Sequence, residues 1–272
     1  MSKAATSGWG RYSELRPIAL AAIRERHPIV YLPWGSLEWH GPHLPLGLDG
    51  IIAETVAERV ARRTGGVLLP TTWWPITALP HRDSLSVSSP LIRGLWDEIF
   101  AGLAAADWKV VVTISGHYAQ GHEVVLMDAA EEAMRKQGLL VLALPPMALV
   151  DEEMLDHAAL WEASQLLSIR PDLVDLDALG SGPLRPATSS VLGRDPRDAA
   201  SASIGQRAIG LAVERIVTAV TELVRDRRPA PLHALYARRR ARYRAHFERY
   251  VNGNSIEQGG ISWWEEQTKG DG

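Results

Sequence analysis

No cysteine occurs in the 272 residues. Disulfides therefore contribute nothing to stability, and a metal site would have to be built from carboxylate oxygen and imidazole nitrogen. Long hydrophobic runs are missing too, which excludes a membrane-spanning helix. The polar opening Met1-Ser2-Lys3 does not resemble a signal peptide, so a cytoplasmic location with no membrane partner is expected. Strong charge of either sign is absent: 29 Lys and Arg against 32 Asp and Glu leave a net charge of -3. Such a surface offers nucleic acid no electrostatic attraction. Phenylalanine is scarce, 2 residues against 10 Trp, so flat rings with an N–H donor dominate the aromatic surface. What is present suffices for a substantial core: 46% of residues are hydrophobic, enough for one large α/β domain or two small ones.

Apolar periodicity divides the chain into alternating strands and helices. Residues 12–25 read as a short helix and 29–32 as a buried strand. A helix begins at Asp49 with Ile52, Val56 and Val60 as its stripe, and Gly65-Gly66 ends it. Residues 67–74 read as a strand and 75–88 as a loop. Ser89-Pro90 opens a helix striped by Leu91, Leu95, Ile99 and Leu103. Residues 109–114 are apolar on both faces, as in the middle of a parallel sheet. A helix with Val124, Met127, Ala130 and Met134 follows, then a strand over 139–144 and a helix stopped by Pro171. Residues 180–196 lack periodicity, 203–225 form a long amphipathic helix, and 252–272 are turn-rich. The pattern predicts an α/β fold, taken as three-layer α/β/α around a mostly parallel sheet. The main unit spans residues 1–227; a C-terminal extension, 228–272, packs on it or on a neighbouring subunit.

In such sheets chemistry gathers at the carboxyl ends of the strands. Glu38 and His40 follow the first strand at i and i+2, so in extended backbone both project to one side. The Gly/Pro-punctuated loop after them can bring Asp49 back. Ser115-Gly116-His117 follows the strand at 109–114 and falls at the same edge. Oxygen and nitrogen ligands on rigid backbone suit a divalent metal. Taken alone, the same residues also fit polar loop positions, with Asp49 a helix cap and His117 a surface histidine. Glu123 is a further carboxylate candidate, while His43 reads as structural and His122 as a helix-surface residue. Arg238-Arg239-Arg240 reads as a solvated helix face or a subunit contact.

The run Gly35-Ser36-Leu37-Glu38-Trp39-His40-Gly41-Pro42-His43-Leu44-Pro45, followed by Asp49, resembles the signature of the creatininase family of metal-dependent amidohydrolases. The resemblance extends to about Asp177. It implies that Glu38, His40 and Asp49 bind a pair of divalent ions, Zn, Mn or Fe, with Asp49 bridging. The family's Asn-Gly-His ligand is matched by Ser115-Gly116-His117, with Ser replacing Asn. Its second-metal Glu is Ala119 here, but a Glu-Thr-Ser used by other branches is matched by Glu162-Ala163-Ser164. Glu162 thus becomes the fifth ligand. His157 matches the family's acid–base histidine; Ala158 replaces the small Gly that commonly follows. An imidazole titrating near about 6.5 suits proton transfer at neutral pH.

Tyr118 matches a Tyr of the type enzyme and, with Ser84 and Trp161, is a candidate for contacting a small-molecule substrate. The loop His81-Arg82-Asp83-Ser84-Leu85-Ser86 is shorter and more polar than the family pattern. The segment between Pro146 and His157 is too short for the type enzyme's tryptophan-bearing flap. The expected reaction is hydrolysis of a small polar cyclic amide or formamide. Two alternatives stand beside it: C–C ring opening of an oxidised inositol, and a non-catalytic, metal-stabilised binding protein. The resemblance also implies a homo-oligomer, hexamers being common, to which the aromatic tail with Tyr243, Phe247, Tyr250, Trp263 and Trp264 would contribute.

Overall fold

Proline and glycine set most of the element boundaries. The computed structural model describes residues 8–269; Met1-Ser2-Lys3 lies outside them. A short strand, β1 (Trp9–Arg11), comes first and leads into a 3-10 turn at Tyr12–Glu14. The predicted helix over 12–25 is therefore split, because α1 (Pro17–Arg26) starts at a proline that has no N–H to give to an earlier turn. Then follow β2 (Ile29–Trp34), α2 (Leu48–Thr64) and β3 (Gly66–Leu68). β3 is shorter than the strand predicted over 67–74. Beyond it Pro70 lacks a donor, yet Leu69 and Thr72 still donate to the Tyr31 and Pro33 carbonyls, so the chain stays extended beside β2.

α3 (Ser89–Ala105), β4 (Val110–Ser115), α4 (Gln120–Gln137) and β5 (Leu140–Leu144) complete the sheet region. α5 (Leu160–Ile169), the one-turn α6 (Pro186–Ser189), α7 (Ala202–Asp226), α8 (Ala230–His246) and α9 (Ile256–Gln267) follow. The stripe of α3 is corrected by one residue. Ile92, Trp96, Phe100 and Leu103 face the core, whereas Leu91 and Leu95 are 63% and 38% exposed. Apolar residues stand side by side at Leu91-Ile92, Leu95-Trp96 and Ile99-Phe100, and periodicity alone cannot choose between the two stripes. The turn-rich reading of 252–272, whose last three residues lie outside the described ones, is corrected over Ile256–Gln267: Ser255 caps α9 reciprocally with Gln258, a pattern that starts a helix.

The sheet has the order β1-β3-β2-β4-β5 and is parallel throughout. β2 leads back to β3, whereas β3 to β4 and β4 to β5 advance the other way. Right-handed crossovers then place α2 on one face and α3 and α4 on the opposite one. α5 and α7 pack with α2, and α8 and α9 sit against α4. The result is the expected three-layer α/β/α arrangement, with β2 and β4 side by side and every residue of both buried. Their connections depart to opposite faces, so a crevice opens between their carboxyl ends. Among the described residues no helix is long and apolar enough to cross a membrane.

Candidate metal centre

The crevice is closed at its base by two glycines that let backbones touch. A Cβ on Gly35 would lie 2.3 Å from the Gly50 backbone, and one on Gly116 would lie 2.0 Å from the Asp49 carbonyl oxygen. The end of β2, the end of β4 and the first turn of α2 are thereby pressed together. Asp49 sits in that first turn but does not cap it. Its carboxylate accepts the Ser36 hydroxyl at 2.6 Å and otherwise faces two histidines.

Each of these histidines has its tautomer set by a backbone carbonyl. His117 Nε2–H donates to the Ile76 carbonyl at 2.9 Å, which leaves Nδ1 2.8 Å from Glu38 Oε2 and 3.2 Å from Asp49 Oδ2. His40 Nδ1–H donates to the Glu38 carbonyl at 3.0 Å, which leaves Nε2 3.0 Å from Asp49 Oδ1 and 3.8 Å from Glu162 Oε2. A neutral imidazole with that tautomer turns a lone pair toward carboxylate oxygens, so a proton or a cation must stand between. His40 Nε2 and Asp49 Oδ1 are buried without a geometrically sound hydrogen bond. The donor set is therefore that of a divalent metal, and it falls into two groups sharing Asp49: Glu38, Asp49, His117 and His40, Asp49, Glu162.

The electrostatics follow from burial set against neighbours. Burial opposes the imidazolium at His40, but Asp49, Glu162 and Glu38 outweigh it and raise its pKa to about 10. His117 is raised in the same way by Glu38 and Asp49. Burial disfavours the carboxylates of Asp49 and Glu38, yet the two histidines bring both below the ordinary range. Glu162 is pushed well up by burial, with only partial relief from His40.

His157 stacks on His40 with ring centroids 4.4 Å apart. Its Nε2–H donates to Ser190 Oγ at 3.0 Å, and that hydroxyl donates in turn to the Trp39 carbonyl at 3.2 Å. Nδ1 is left as the basic nitrogen. Burial and the nearby His40 charge lower the His157 pKa to about 4, so its ring is neutral at neutral pH. The next residue, Ala158, has φ +51°, a conformation that favours glycine. It is held there because its N–H donates to Glu162 Oε2 at 2.6 Å while its carbonyl accepts His43 Nε2–H at 2.9 Å.

One residue of the site, Asp156, lies beyond sequence reasoning, and others are placed differently from their sequence reading. Asp156 accepts the Trp161 and Glu162 N–H groups at 2.7 and 3.1 Å and so anchors the start of α5. His122 is fully buried, and its Nδ1 accepts the Ile76 N–H, which corrects its surface reading. Glu123 is removed from the ligand candidates: it is buried and accepts Arg239 at 2.6 and 2.8 Å and the Tyr243 hydroxyl at 2.6 Å. Arg239 is accordingly no solvated helix residue.

A cavity of about 200 Å³ opens over Glu38, His117 and His157, with Tyr118 in its wall. Ser84 and Trp161 are not among the residues lining it. Ser84 Oγ instead accepts the Trp39 N–H at 3.0 Å and pins its loop, and Trp161 packs near Met147, Ala208 and Ala212. Arg82 and Asp83 are exposed and also outside the lining, so the polar loop does not face the crevice.

The family described as Creatininase: Creatinine amidohydrolase matches residues 13–220. The chain belongs to the creatininase family. As a member it is a hydrolase, and two curated relatives carry hydrolase names. The chain is 25% identical over 186 residues to a creatinine amidohydrolase of Pseudomonas putida, covering 59% of this chain and 70% of that one. It is 32% identical over 169 residues to a mycofactocin precursor peptide peptidase of Mycolicibacterium smegmatis, covering 58% and 65%. A solved structure titled Creatininase Mn shares the fold with a TM-score of 0.67 at 22% identity, over 79% of this chain and 98% of that one.

Proposed function

We propose that this creatininase-family hydrolase cleaves the C–N bond of a small amide or peptide with two divalent ions. The observation that carries the reading is the division of Asp49, with Oδ2 toward His117 and Glu38 and Oδ1 toward His40 and Glu162. Glu38, His117 and Oδ2 would hold one ion; His40, Glu162 and Oδ1 would hold the other. Bound there, such ions supply Lewis acidity that polarises a carbonyl and lowers the pKa of water. Zn, Mn and Fe all accept this donor set.

The chain's own residues do the rest. The Leu79 N–H, 2.6 Å from Glu38 Oε1, and the Ser36 hydroxyl on Asp49 keep the two carboxylates in place. His157, neutral and with Nδ1 free, accepts a proton from water and returns it to the departing nitrogen. Water adds to the carbonyl carbon, the C–N bond breaks, and the amine leaves with that proton. Peptide and cyclic amide are the same bond class, and the names of the two relatives span both. Ring opening of an oxidised inositol stays as the second reading: the chain is 26% identical over 115 residues to a 3-dehydro-scyllo-inosose hydrolase of Thermotoga maritima, covering 40% of this chain and 36% of that one, although the polar Arg82 and Asp83 do not line the cavity. A homo-oligomer remains part of the proposal, but Tyr243 and Trp264 are buried within the chain and cannot supply its interface.

The test is elemental analysis of the purified chain before and after chelation, with a panel of peptides, cyclic amides and formamides assayed on metal return. Two ions per chain and metal-dependent turnover are expected. Bound metal without turnover on any amide would overturn the C–N reading and leave ring opening of an oxidised inositol and the binding protein as the alternatives.

A further inference from the structure

The cavity has two unlike sides. Its floor is polar, with Glu38, His117, Asp156 and His157, and lies within the family match. Facing that floor are His246, Val251, Ile256, Gly260 and Trp263, and all five lie beyond residue 220, where the match ends. The chemistry thus belongs to the shared domain, whereas much of the wall belongs to the α8–α9 hairpin.

The hairpin is bound to the domain by specific partners. On α8, Arg239 bridges Glu123 and Glu152, and Tyr243 joins the same cluster. On α9, Glu257 accepts the Ser89 N–H at the start of α3 at 2.6 Å. Ile256 presses on the first turn of α4 so closely that a Cβ at Gly121 would lie 2.3 Å from its Cγ2. Between the helices, a single π turn at Phe247–Val251 interrupts the regular winding; its last residue Val251, and His246 just before it, both reach the cavity. Tyr250 fixes that turn to α9 through Glu266 at 3.0 Å. The tryptophan pair divides its roles: Trp264 is buried as an anchor, and Trp263 is half-buried at the cavity.

We propose that the α8–α9 hairpin is the substrate-selecting wall of the active site, seating an apolar or aromatic group carried beside the scissile carbonyl against Trp263, Ile256 and Val251. The inference rests on the metal-hydrolase reading of the floor. A carbonyl polarised by the ion that Glu38 and His117 would hold leaves its neighbouring substituent to pack on the uncharged part of the lining, and that part is this wall together with Leu79, Leu155 and Leu192. A flat indole face and two β-branched side chains suit a ring or a branched alkyl group, and burying one there releases water from both surfaces.

Calorimetric titration of the metal-loaded full chain with two hydroxamates tests this, because both chelate the metal and differ only in the side group. Phenylacetohydroxamate is expected to bind at least about tenfold tighter than acetohydroxamate, the value of a buried ring. Trp263→Ala should remove most of that preference and leave acetohydroxamate unchanged, and Trp263→Phe should retain it. Gly260→Leu adds bulk inside the cavity without displacing the Trp264 anchor; it should exclude the aryl ligand alone. Equal affinities in the unaltered chain, or a preference that survives both Trp263→Ala and Gly260→Leu, would overturn the wall. Failure of acetohydroxamate itself to bind would overturn the metal floor beneath it, a separate and recognisable result.

Discussion

The floor and the wall of the cavity are held in opposite ways. The floor, with the ligand candidates beneath it, is backbone-built: Glu38, His40, Asp49 and His117 leave the ends of two central strands and one helix start, and main-chain carbonyls or N–H groups orient three of the four side chains. The wall is side-chain-built: α8 and α9 are attached by carboxylates and an arginine that meet partners far away in the chain. The difference separates two functions. Reactive geometry tolerates little displacement and is placed where the fold is stiffest, while selectivity can be carried on an added element and changed without disturbing the reacting atoms.

The comparison is broken most severely at the floor. Asp49→Ala removes the carboxylate common to both ligand groups, so elemental analysis should find both ions lost and turnover at background. Full retention of both ions would remove Asp49 from its bridging place. His157→Ala comes next. It should keep the metals and lower turnover by roughly 10²–10⁴-fold, the range for losing a general acid–base. Because Glu38, His40 and His157 also lie close enough to form a ligand group, loss of an ion in this variant would reassign His157 from proton carrier to ligand.

The wall is expected to respond in stability rather than chemistry. Arg239→Ala leaves Glu123 buried without its cation and should cost about 3–5 kcal/mol in denaturant unfolding. Metal content should remain that of the unaltered chain; if the ions were lost as well, floor and wall would not be separable. The smallest effect concerns Glu257 and pH. Burial alone would raise its pKa, but the hydrogen bond from Ser89 outweighs burial and lowers it from the ordinary 4.5. A lowered carboxylate pKa contributes stability that is present above the unfolded value and is lost as pH falls through the folded one. The melting temperature of Glu257→Gln should therefore fall below that of the unaltered chain at pH 6, and the gap should narrow toward pH 3. A gap that widened on acidification would show that the Ser89 contact does not depend on the ionised carboxylate.

How much of this could be read beforehand depended on distance along the chain. Glu38 and His40 are separated by the strand period and follow an apolar run, so their common side is a local consequence of extended backbone. Val110 to Val112 declared themselves an interior strand by being apolar on both faces, and β4 does lie between β2 and β5. The α3 stripe was misplaced because Leu91 and Leu95 are as apolar as Ile92 and Trp96, and only the position of the sheet decides which pair turns inward. Arg239, within a basic run, reads as part of a solvated helix face or a subunit contact because arginine is usually exposed. Its partner Glu123 lies 116 residues away, beyond the reach of any local pattern.

The amino-acid order by itself determined the alternation of strands and helices, the parallel sheet, and the gathering of Glu38, His40 and His117 at one sheet edge. These follow from periodicities of two and 3.6 residues and from the Gly/Pro positions that end each element. Tertiary structure alone decided the rest. It set which oxygen of Asp49 faces which histidine, put a carbonyl on each of those rings, and held Ala158 at φ +51° between Glu162 and His43. It also turned the C-terminal helices over the crevice, so that Trp263 meets a site formed more than a hundred residues earlier. The physical reason is that hydrogen-bond direction and burial are properties of neighbours in space, and a sequence lists neighbours only along the chain.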